Sequence, residues 1–66
     1  MPLYYVNQHA QPNGDHEVHK VGCRFMPGNR TPLGEHQTCF TAVAAAKRMY
    51  PQSNGCAFCS NECNTG

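Results

Sequence analysis

The chain has 66 residues, a formal net charge of +1 and 14% charged residues. A chain this short forms one domain with little apolar material for a core, and such domains commonly need a disulfide or a structural metal. Near-neutral charge argues against a broad basic footprint for nucleic acid or an anionic membrane, and no apolar run approaches membrane-spanning length.

Five cysteines make sulfur the expected staple. The N-terminal "MPLYYVNQ" has neither the basic nor the apolar region of a secretion signal, which predicts a cytoplasmic protein. In a reducing compartment thiols serve as metal ligands more often than as disulfides. The odd cysteine number points the same way, since two disulfides would leave one thiol over.

The first predicted element is a strand at 3–7, "LYYVN", short, aromatic and β-branched. Asn13-Gly14 then supplies a turn with positive φ, in a wide or bulged hairpin. The return strand is "HEVHKV" at 16–21, with Val18 on one face and Glu17 and His19 on the other. An irregular loop with Pro27, Gly28 and Pro32 follows, in which Phe25 and Met26 are expected to be pinned to the core. A third short strand is predicted at 33–35.

One helix is predicted, over about 39–49 in "TCFTAVAAAKRMYP". Thr38 is placed to cap it, with its hydroxyl offered to a first-turn amide. Its inward stripe is read as Phe40, Val43, Ala44, Lys47 and Tyr50, and Pro51 ends it. The expected core is Tyr5, Val6, Val18, Phe25, Leu33, Phe40, Val43, Ala46 and Tyr50. His9, His16 and His36 are expected to be solvated.

The chemistry lies at the end, in a knuckle over 55–63. Cys56-x-x-Cys59 has the spacing that lets two thiolates meet one tetrahedral ion, and "HKVGC" supplies two further ligands in His19 and Cys23. Cys63 competes for the fourth position, because CxxCxxxC can place three sulfurs around an ion. Cys39 falls in the first helical turn. There it is either a small buried hydrophobe, a thiol made reactive by the helix dipole, or a disulfide partner for Cys63. Mixed N/S ligation favours Zn2+ as cofactor, with iron and copper(I) left open. A thioredoxin-like dithiol is disfavoured, because that chemistry wants its CxxC at a helix N-terminus after a strand. A catalytic zinc needs an open position and a base, and neither Glu17 nor Glu62 is singled out for that task.

The order "VHKVGC", "LGEHQTCFTAVAAAK", "GCAFCSNEC" resembles a family of small bacterial Cys-rich proteins that begin with a "YYVN" strand, contain "GDHEVH" and end in a cysteine knuckle. It is more distantly similar to the zinc-binding domain of bacterial DNA methylphosphotriester repair proteins. That pattern also implies His19, Cys23, Cys56 and Cys59 as ligands. The repair domain uses four cysteines and methylates one of them. This chain has His19 in place of a thiolate, and Ser60-Asn61 where Cys-Pro is expected.

The expected fold is a small α+β domain, with a two- to three-stranded antiparallel sheet, one helix and a C-terminal zinc knuckle. The expected function is a non-enzymatic zinc-binding module with a structural metal, monomeric, with an unidentified protein partner and no nucleic acid or membrane. Two alternatives stand beside it. One is a thiol-reactive redox or methyl-acceptor protein acting through Cys39 or Cys63. The other is a disulfide-stapled envelope protein.

Overall fold

In the computed structural model, which describes residues 1–65, a four-stranded sheet carries one helix on one of its faces. The strands are β1 (Leu3–Asn7), β2 (His16–Lys20), β3 (Arg30–Glu35) and β4 (Ser53–Gly55), in the order β3-β1-β2-β4. β1 pairs antiparallel with β2 and β3, while β2 and β4 run parallel. The class is α+β, as the residue patterns imply, but the sheet is mixed and has one strand more than predicted.

The additional strand is β4. Its residues, Ser-Asn-Gly, have poor strand propensity, and their pairing depends on a partner more than 30 residues away. His16, Glu17 and Val18 align with Ser53, Asn54 and Gly55, and all three β4 residues are buried. Asn54 closes the local polar accounts. Its Oδ1 accepts from the Thr65 backbone N–H at 3.0 Å and its Nδ2 donates to Asp15 Oδ2 at 3.4 Å, tying the chain's end to the first hairpin.

β3 begins three residues earlier than predicted and lies at an edge, where Pro32 does not interrupt a central ladder. Its pairing shifts between Tyr4 and Tyr5, so that Leu33 is the extra residue between Pro32 and Gly34. Gly34 carries the bulge at φ +84°, a conformation that side chains disfavour.

The helix α1 (Cys39–Ala46) is shorter than predicted, and residues up to Tyr50 continue only as turns. Thr38 stands at the N-cap position but makes no side-chain capping bond. The buried stripe is Cys39, Ala42, Val43 and Ala46, an i, i+3, i+4, i+7 set one residue earlier than the expected one. Phe40 is therefore exposed, at 60%. The reason is close approach: alanine lets the helix lie near the sheet, and Cys39 is drawn inward by its bond to Cys63.

Both sheet faces are used. Tyr4, Val6 and Val18 face the helix, with Cys39, Ala42, Val43, Ala46 and Cys63 completing the core and Leu33 and Tyr50 packed at its margin. Tyr4 takes the place expected for Tyr5, which is aligned with His19 and only half-buried. Phe25, expected in the core, is 57% exposed. His16 and His36 are not solvated bystanders. His16 stacks on Tyr50 at 4.0 Å and donates from Nδ1 to the Asn7 carbonyl at 2.9 Å. His36 donates from Nε2 to the Leu33 carbonyl at 2.8 Å and meets Thr41 Oγ1 at 3.0 Å.

Candidate metal centre

β2 alternates, so Val18 enters the helix-side core and His19 points to the opposite face. A strand residue on the second face of a thin sheet is ordinarily exposed, yet His19 is 1% exposed and among the largest fully buried side chains. What covers it is sulfur. Lys20 to Cys23 form a turn, closed by the Cys23 N–H donating to the Lys20 carbonyl at 3.1 Å, which returns Cys23 to the same side. From the other end, Cys56 continues β4 with its N–H bonded to the Val18 carbonyl at 2.9 Å. The following turn, in which the Ser60 N–H donates to the Cys56 carbonyl at 2.9 Å, brings Cys59 back beside it.

His19, Cys23, Cys56 and Cys59 thus converge, and their ligand atoms all lie within 4.8 Å of one another. Cys23 and Cys56, 33 residues apart in the chain, have their sulfurs 4.0 Å apart. Cys59 Sγ lies 3.9 Å from His19 Nδ1. Around a tetrahedral ion with bonds of about 2.3 Å to sulfur and 2.0–2.1 Å to nitrogen, the corresponding edges are about 3.8 and 3.6 Å. Contraction by a few tenths of an ångström brings these pairs to that geometry. The four residues can therefore hold a metal ion.

The surroundings suit thiolates. The Lys20 N–H donates to Cys59 Sγ at 3.2 Å and the Phe58 N–H to Cys56 Sγ at 3.4 Å, while Ser60 Oγ is 3.6 Å from Cys59 Sγ. Such donors stabilise negative sulfur. On the far side of the imidazole, Glu17 Oε1 lies 3.5 Å from His19 Nε2. A carboxylate there holds the ring so that Nδ1 faces the sulfurs, the outer-shell arrangement usual for metal-bound histidine.

The metal-free side chains titrate apart. Burial lowers the His19 pKa, partly opposed by the Glu17 carboxylate. Burial pushes the Cys23 thiol up to about 11. For Cys59 burial also acts upward, but the donors at Lys20, Ser60, Cys23 and Cys56 outweigh it, and its pKa is lowered. Burying two ionisable thiols and an imidazole, with a third thiol half-buried, in so small a domain is unfavourable unless something compensates their polarity.

Cys63, weighed as an alternative fourth ligand, is bonded to Cys39 instead, with their Cα atoms 6.3 Å apart. The short 3-10 helix Asn61–Cys63 turns it into the helix-side core, on the other face of the sheet from His19. Neither Cys39 nor Cys63 presents the free thiol that a reactive role requires. Cys23, Cys56 and Cys59 are the free cysteines.

Sequence reasoning missed Glu17 as the partner of His19. Its signal was present, since i and i+2 residues of a strand share a face.

Comparisons with protein-family models, with curated proteins and with solved structures find no match to this chain. Among the described residues, no helix is long and apolar enough to cross a membrane.

Proposed function

We propose that the chain is a non-enzymatic zinc-binding module, in which one Zn2+ held by His19, Cys23, Cys56 and Cys59 is structural and the remaining surface serves a protein partner. The observation that carries this reading is the convergence of four N/S donors, three of them buried, from segments 33 and 40 residues apart. Four protein ligands fill a tetrahedral shell and leave no position for a reacting water, as structural rather than catalytic sites do. Three thiols and an imidazole suit zinc better than hard cations. His19 in place of a fourth thiolate speaks against the methyl transfer of the repair-protein zinc domains.

Such an ion would join β2 and its turn to the C-terminal knuckle. Apparent binding energies of about 10–16 kcal/mol for structural zinc exceed the whole stability of a typical small domain, so metal loading and folding would be one process.

Native intact mass, repeated after acid denaturation without reductant, tests this. The expected native excess is one zinc, with a denatured mass below the fully reduced value by the two hydrogens of a single disulfide. A native mass without metal, and a far-ultraviolet spectrum unchanged by a strong chelator, would refute it. A cytoplasmic location accompanies this reading, with the Cys39–Cys63 disulfide as the exceptional element, because reducing pools keep thiols reduced. Rapid alkylation of cells at lysis would leave Cys39 and Cys63 unmodified if the disulfide persists there. Their complete labelling would show that the bond is absent in the cell, as a reducing compartment requires.

A further inference from the structure

Against Cys56 of the ligand set, the face of the centre carries an apolar cleft of about 260 Å³ lined by Glu17, Phe25, Cys56, Ala57 and Phe58. Phe25 comes from the loop after Cys23 and Phe58 from the turn between Cys56 and Cys59, so each ring is mounted beside a candidate ligand. They meet edge to face, with centroids 5.4 Å apart and planes at 87°. Both remain more than half exposed, at 57% and 60%. In a chain with three phenylalanines and no tryptophan, two large rings are thus held out to solvent on constrained loops.

We propose that this cleft receives a cationic side chain, a lysine or arginine presented by a partner polypeptide. Charge complementarity carries the assignment. The walls are aromatic rings, whose faces attract cations, and the charged residue in the lining is the Glu17 carboxylate, 22% exposed. The chain's own Arg24 already lies over one of these rings, with its guanidinium carbon 5.5 Å from the Phe25 ring centroid, so an incoming cation takes the Phe58 side or displaces it. A second guanidinium, of Arg30, lies 5.0 Å from the Tyr5 ring, which shares the sheet face of His19. A divalent ion bound to three thiolates and a neutral imidazole would add a net negative charge beside the cleft. That contribution alone rests on the proposed zinc.

The openness of the site decides the source of the cation. Rings this exposed cannot enclose a free small ligand, whereas a side chain tethered to a partner gains its remaining contacts from neighbouring residues of that partner. Glu17 would then serve twice, orienting His19 and facing the incoming charge.

The test is a nuclear magnetic resonance titration of the intact, metal-loaded protein. The probes are four blocked tripeptides, glycine on either side of lysine, trimethyllysine, arginine or norleucine, an uncharged chain that lacks the ammonium. Phe25 and Phe58 ring resonances and the Ala57 amide are expected to move with the three cations and to stay with norleucine. Phe25→Leu and Phe58→Leu, which keep apolar bulk, are each expected to weaken binding about two- to fivefold, the range for a cation over an exposed ring. Metal content measured on the same samples separates loss of the centre from loss of the cleft. Equal shifts with norleucine would overturn the proposal in favour of a merely apolar patch. Shifts at both rings with a short oligothymidine but none with the cationic peptides would overturn it in favour of base stacking.

Discussion

Removing the Cys39–Cys63 disulfide by the double substitution Cys39→Ala/Cys63→Ala tests the division of labour between that bond and the proposed zinc. The bond links residues 24 apart, and the other three cysteines lie elsewhere on the fold. In the chain-entropy treatment, closing a loop of about that length restricts the unfolded ensemble by about 3.5 kcal/mol at 25 °C. A domain of this size has about 3–10 kcal/mol of stability in total. Loss of the disulfide would therefore consume much of the stability that the polypeptide possesses alone, but only a fraction of what a structural zinc adds. The zinc-loaded variant should fold, and its urea midpoint should fall by about 3.5 M for a slope near 1 kcal/mol per M. The same variant without metal should be largely unfolded. Urea titrations followed by circular dichroism, with and without zinc, measure both. A midpoint shift below about 1 M at unchanged slope would refute the loop-closure estimate. Failure of the zinc-loaded variant to fold would refute the ranking, making the disulfide the primary staple.

Three further outcomes follow from the same geometry. A Cβ on Gly55 would lie 2.5 Å from the Ser60 carbonyl oxygen and 2.8 Å from Cys63 Cβ, both held by the knuckle and the disulfide. Gly55→Ala should cost about 1–3 kcal/mol and lower Tm by roughly 10 °C, and an unchanged melting curve would show that β4 has room to move. Glu17→Gln, which weakens the hold on His19 Nε2, should reduce metal affinity about 10- to 100-fold in competition with a chromogenic chelator. Equal affinity would show that the carboxylate does not orient the ring. Immediately after chelation, before the chain unfolds, alkylation at pH 8 should reach Cys59 first, because its pKa is lowered and it is the least buried of the three, and Cys23 last, because its thiol ionises only near 11. Raising the pH toward 11 should narrow that gap, and the reverse order of labelling would contradict the assigned surroundings.

Much of the candidate centre was legible because its information is local. Cys56 and Cys59 are brought together by one turn, and His19 and Cys23 by another, so spacing alone marks each pair. Strand alternation likewise separates Val18 from His19, and the hairpin follows from two strand-like runs around Asn13-Gly14. The misplaced residues are those whose neighbours are distant in the chain. Tyr4 and Tyr5 are chemically identical, and only the presence of a helix on one face and the centre on the other decides which is buried. Phe25 and Phe40 are hydrophobic enough for a core, but Phe25 sits on the outside of a ligand loop and Phe40 one position away from the inward stripe of α1.

By itself, then, the sequence determined the class of the domain, its need for a sulfur staple and the four residues able to hold an ion. Those properties depend on composition, alternation and short spacings. The tertiary structure alone decided that Cys63 bonds Cys39 rather than joining the four-residue cluster, that a polar Ser-Asn-Gly segment becomes the fourth strand, and that two phenylalanines flank the candidate centre in solvent. Each of these depends on which side of the sheet a distant segment reaches. A sheet with two covered faces gives residues of identical chemistry opposite fates.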